Sequence, residues 1–273
     1  MKTHLKQGWR LALKHFYIVI LLFIYQLLWG FFLYRFIDSV VTPLLKRYPA
    51  DGALNDSAVR LFFSEAQFQL MKTDLIQPYL WMIGGLFACR MLLTPLFNAG
   101  LFYSLHRADD AGGTKFIEGI RRVWKPVMLL YWLESLFAIA PAWWLLPRGL
   151  DSLLQSGTLS ELLQTTLPGA IGWVLWIALL HLLFLAMQFG AASGNGPFHS
   201  LWSALRHLAP FAGLSLLMWA IGAGIALFVT GLSLVWAGLL ALVAHQGYHL
   251  IRTLMKVWTI ASQYDCLQSR TQE

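Results

Sequence analysis

The chain has 273 residues, 58% of them hydrophobic and only 12% charged, with a formal net charge of +7. A soluble domain carries roughly 25% charged residues, so this chain has too little polar surface to face water, and lipid must be its solvent. The positive balance does not point to nucleic acid, because there is no long basic run and no aromatic-basic recognition module; cytoplasmic loops of membrane proteins collect Lys and Arg, which accounts for it.

A hydrocarbon core of about 30 Å takes roughly 20 apolar residues at ~1.5 Å each. The basic start, Met1 to Lys6, leads into a first span from Phe16 to Ile37. That run is too long for the core of a cleaved signal peptide and no small-residue cleavage site follows it, so it reads as a retained helix. Residues 56–71 then place Val59, Leu61, Phe62, Phe63, Phe68 and Leu70 among Arg60, Glu65 and Gln67, the pattern of an imperfectly amphipathic surface helix. The second span runs from Tyr79 to Leu105 and the third from Pro126 to Leu146. Thr158-x-x-Glu161 reads as a capping box for a short helix through Gln164, ahead of a fourth span from Pro168 to Ala191. The fifth, Pro210 to Thr230, and the sixth, Leu232 to about Ile251, are predicted to part at a tight Thr230-Gly231 turn. As one helix they would be too long for a single crossing. The small residues Gly222, Gly224 and Ala226 predict close approach of a neighbouring helix.

The spans pair as three hairpins, over residues of about 1–105, 112–191 and 197–262, in a single membrane domain. Each is preceded by a short segment of basic and aromatic residues, Leu5 to His15, Phe116 to Pro126 and Leu201 to Pro210. The expected form is an amphipathic helix in the head-group layer that turns into a spanning helix. The fold class is therefore an all-α integral membrane protein with six transmembrane helices. Thirteen Lys and Arg fall on the face holding both chain ends, the 106–125 loop and the 192–208 loop. Six fall on the other, namely Arg35, Lys46, Arg47, Arg60, Lys72 and Arg148. Both termini are thus expected in the cytoplasm. Cys89 and Cys266 then lie in different compartments, which argues against a disulfide.

The three leading segments, with Trp9, Trp124 and Trp202, and the ending Ser262-Gln-Tyr264-Asp265-Cys-Leu267 resemble one bacterial group. It is the six-helix membrane domain fused to some glycerophosphodiester phosphodiesterases and found in stand-alone membrane proteins of unknown function. The resemblance covers nearly the whole chain and implies fold and a place in the bacterial cytoplasmic membrane. It implies no chemistry, because this sequence has no soluble phosphodiesterase barrel.

Ionisable residues inside the spans are the candidate site, since each costs roughly 2.5–3.5 kcal/mol at the bilayer centre unless partnered. They are Arg90, Glu134, His181 and His245. Counting from Lys125 and Gly190, Glu134 and His181 each lie about 13 Å inside one boundary, and His245 about 10 Å from Arg252. Arg90 sits nearer the midplane with a side chain long enough to reach toward Glu134. The expectation is a polar cluster in the cytoplasmic half, either a helix-packing pair or a proton-relay, substrate-charge or metal site. His245 and His249 share a helical face at ligand spacing, but the glutamate of a zinc-protease motif is missing between them. They are weak metal candidates, polar lining is the plainer reading, and no cofactor is expected. Gly194-Asn-Gly-Pro197 lacks the Lys of a phosphate loop and reads as a turn. No nucleophile elbow and no carboxylate pair is visible, so no catalytic residue is assigned. The functional expectation is a non-enzymatic transport, export or envelope-assembly component, with the bilayer and a partner membrane subunit or second copy as its contacts. The alternative is a membrane-embedded enzyme acting on a lipid or isoprenoid substrate.

Overall fold

The computed structural model describes residues 2–45, 73–107, 114–155, 159–235 and 239–271. The regular structure among them is entirely helical: α1 (Lys2–Lys14), α2 (Phe16–Leu45), α3 (Thr73–His106), α4 (Thr114–Ile139), α5 (Ala142–Gln155), α6 (Leu159–Ser193), α7 (Pro197–Arg206), α8 (Leu208–Val235) and α9 (Leu239–Thr271). Five stretches are long and apolar enough to cross a membrane: Phe16–Ser39, Tyr79–His106, Lys115–Gly149, Gln164–Ser193 and Leu208–Leu232. No more than 28% of the apolar window in any of them is buried against protein. Their large side chains face outward, which only a hydrocarbon surrounding tolerates. The chain is an all-α membrane protein. The sixth predicted span and the surface helix over residues 56–71 fall partly and wholly outside the described residues.

Several expected boundaries move, each for a backbone reason. The Thr230-Gly231 turn is absent: both residues are helical in α8, which continues to Val235. A glycine costs a helix only about 1 kcal/mol, less than leaving backbone groups unpaired in lipid. Pro126 and Pro168 do not start helices but lie inside α4 and α6. The second leading segment is therefore continuous with its span, and the helix beginning near Thr158 does not stop at Gln164. The third predicted span, in contrast, is broken at Ala140-Pro141. Pro141 has no N–H, so the carbonyl of Phe137 loses its helical donor. Two indoles of α6 replace the missing partners: Trp173 Nε1 donates to the Ala138 carbonyl at 2.8 Å and Trp176 Nε1 to that of Phe137 at 3.1 Å. The amphipathic α5 that follows exposes Trp143 and Trp144, with the Arg148 guanidinium 3.6 Å from the Trp144 ring centre.

The first and third leading segments are separate helices, ending at His15 and His207. Beyond His207 stands Pro210, which cannot donate to the Arg206 carbonyl. No proline follows His15, and nothing in the local sequence explains that break.

Packing divides the chain into two compact units. One comprises residues 21–94, with most of α2 and α3, where the Tyr25 hydroxyl meets Thr94 Oγ1 at 3.0 Å. The other holds residues 1–20 and 95–273. Its core collects at one end of its helices. Phe102, Phe189 and Tyr264 stack edge to face, with ring centres 4.9 and 5.4 Å apart. Ile18, Val19, Leu214, Met218 and Val257 are buried in the same unit. Within it α1 lies along the last turns of α9. The three leading segments carry a buried small residue at one shared position, Gly8, Gly119 and Ala204, each three residues beyond Leu5, Phe116 and Leu201. By comparison, no described atom comes within 4 Å of where a Cβ would stand on Gly222 or Gly224. Among the described residues, close helix approach is seen at the leading helices.

Candidate functional site

Glu134 on α4 and His181 on α6 meet as their matched depths suggest, with His181 Nδ1 2.7 Å from Glu134 Oε1. The second carboxylate oxygen accepts from Gln188 Nε2 at 3.1 Å. Gln188, which is buried, had not been singled out from the sequence. It follows His181 by two helical turns, so both project from one face of α6. A lone amide at that spacing in an apolar run was the available signal. Glu134 thus has a donor on each oxygen, the condition for holding a carboxylate at such depth. Its side chain is 15% exposed, whereas that of His181 is 59% exposed. The imidazole holds the carboxylate with one nitrogen and turns the rest of its ring outward.

The other two expected members stand differently. Arg90 belongs to the unit of residues 21–94 and is exposed there, its guanidinium 5.3 Å from the ring centre of Trp29. That is a cation–π contact. His245 is helical in α9, and its side chain lies outside the described residues. His249 is exposed, with its ring centre 6.4 Å from that of Tyr248. Among the described residues no three His, Cys, Asp or Glu gather as a metal cage. No disulfide joins Cys89, which is exposed, and Cys266, which is buried.

A second polar place was not legible in the sequence. The ends of α3, α6 and α9 and the start of α7 enclose an open cavity of about 520 Å³. His106, Asn195, His199, Ser200, Tyr264 and Gln268 supply its polar wall, over an apolar floor of Phe189 and Leu267. The Gly194-to-Pro197 turn shapes one side. Both its glycines adopt a positive φ, 80° at Gly194 and 87° at Gly196, which a side chain would strain. Gly190 is needed for contact, because a Cβ there would lie 2.6 Å from the Gly196 carbonyl oxygen. The Tyr264 hydroxyl and His106 Nδ1 share a hydrogen bond of 2.8 Å. Burial, and next the neighbouring Asp265 carboxylate, push the Tyr264 phenol above its ordinary value, so it keeps its proton. Asp265 itself accepts from His4 Nδ1 at 2.7 Å.

Comparison of the chain with protein-family models, curated proteins and solved structures returned no match.

Proposed function

We propose that the protein is a six-span component of the bacterial cytoplasmic membrane, built from three hairpins with both ends in the cytoplasm, and that it serves transport or export. The observation that carries this reading is the Glu134–His181–Gln188 cluster. Three polar side chains from two apolar helices converge where each alone would be costly. A pair needed only to lock two helices would gain from being sealed on all sides. Here one side of the imidazole is left uncovered by the described residues, which leaves room for a partner subunit or a water-lined path to exchange a proton with it. The docking of α1 on the end of α9 supports placing both termini on one face, as does the excess of Lys and Arg on that face. The resemblance to the six-helix membrane domain supports the count of spans and the location.

Reconstituting the full chain in liposomes that enclose a pH-sensitive dye tests the proposal. The wild type should dissipate an imposed pH gradient, and Glu134→Gln should slow this by about tenfold or more while the protein stays folded. Gradients equally stable with wild type, variant and empty liposomes would reduce the cluster to a packing device and overturn the reading. Turnover of membrane lipid by the purified protein, abolished by His181→Ala, would establish the enzymatic alternative instead. Reporters fused to the two ends should appear on the same face, and opposite faces would refute the even span count.

A further inference from the structure

The cavity between α3, α6, α7 and α9 has a composition that its role in packing does not require. The first turn of α7 forms part of its wall, and that turn has no side-chain cap. Its N-cap is Gly196 and its first residue Pro197, so the amides of Phe198 and His199 are left without helical acceptors. Ser200 is 95% buried, lines the cavity, and its hydroxyl forms no hydrogen bond with any described residue. Asn195, His199 and Gln268 likewise offer side-chain donors there without a described partner. His106, held by Tyr264 through Nδ1, keeps its second ring nitrogen for a further hydrogen bond. Among the described residues no Asp or Glu lines the cavity, and Asp265, next to Tyr264, is already paired with His4.

Donors without acceptors, converging at the positive end of a helix dipole, form an anion site. We infer that this cavity binds a phosphate group, with the α7 amides, the Ser200 hydroxyl and the His106 and His199 imidazoles as its donors. Carboxylates fit the donor count less well. Backbone amides, a hydroxyl, imidazoles and carboxamides from three helices and a turn surround more directions than two oxygens fill, whereas a phosphate presents three or four. The volume, about 520 Å³, exceeds a bare phosphate and accommodates the polar group that a phosphate ester carries. Such an ester is either the head group of a phospholipid or a soluble phosphate compound.

The test uses the full chain in nanodiscs of phosphatidylcholine alone, titrated with inorganic phosphate, and in nanodiscs containing phosphatidylglycerol. Binding is followed by calorimetry and by the shift in thermal unfolding temperature. Saturable phosphate binding in the neutral discs supports a soluble ligand. Stabilisation confined to the phosphatidylglycerol discs supports a lipid head group. In either arm His199→Asp should weaken the effect by about tenfold or more, because it places a carboxylate where the phosphate sits. Aspartate in a first helical turn favours the helix, so this variant is expected to fold. Asn195→Asp, in the exposed turn, is the second variant and should act in the same direction. The inference is overturned if neither arm shows binding, or if both variants bind as well as the wild type.

Discussion

Gly8 of α1 lies directly on the backbone of Ser262 in α9: a methyl group on Gly8 would stand 2.7 Å from the Ser262 nitrogen and 2.8 Å from its Cα. Around this contact the chain ends are stitched together. Trp258 Nε1 donates to the Leu5 carbonyl at 2.9 Å, Trp9 and Trp258 meet edge to face at 4.9 Å, and His4 pairs with Asp265. Because two backbones meet, the misfit of an added side chain cannot be relieved by turning a rotamer.

Gly8→Ala should therefore lower stability by about 1–3 kcal/mol, the usual cost of overpacking. Thermal unfolding of the detergent-purified protein measures it. An unchanged midpoint would mean that α1 does not dock on α9.

His15, at the joint between α1 and α2, is buried, and its Nε2 has no hydrogen-bond partner among the described residues. Burial first, and then the charge of Lys14, hold its pKa below the ordinary 6.5. The unfolded chain binds this proton more readily than the folded one. This contribution to stability is therefore complete above pH 6.5 and is lost as the pH falls toward the folded value. His15→Phe should flatten the pH dependence below 6.5 relative to the wild type. Parallel curves for the two proteins would show that His15 titrates as freely when folded as when unfolded.

Trp173 and Trp176 supply donors to the carbonyls at the end of α4. Trp173→Phe keeps most of the ring but leaves the Ala138 carbonyl short of a donor, at a cost of about 1–2 kcal/mol. Trp176 is more exposed, so Trp176→Phe should cost less. Equal and negligible effects in thermal unfolding would remove the indoles from the account of the Pro141 break.

Gln188→Leu takes one of the two donors from Glu134 and should destabilise by about 1–3 kcal/mol. Glu134→Leu alone strands the buried Gln188 amide at a similar cost. Combining the two removes both unmet groups, so the double variant should be more stable than the sum of the singles predicts. Strict additivity in the unfolding free energies would show that the two side chains do not interact.

Long runs such as Phe16 to Ile37 announced a membrane helix because transfer of apolar surface adds up residue by residue along the chain. The pairing of Glu134 with His181 was foreseen by a similar one-dimensional measure, their equal distance from a boundary. Gln188 was passed over because an amide gives no such warning until its neighbour on the next helix is known. The prolines show where reading along the chain stops. Pro126, Pro141 and Pro168 look alike in sequence, yet only Pro141 breaks its helix, and there two tryptophans from α6 stand ready to accept the break.

Sequence alone determined the helical class and the lipid surroundings, since both follow from local backbone hydrogen bonding and from summed hydropathy. Which glycines are contact points, where the core gathers, and that His106, Ser200 and Tyr264 face one cavity were decided only by the tertiary structure. Those relationships join residues tens to hundreds of positions apart, and their energies arise only when separate helices are brought within van der Waals or hydrogen-bonding reach.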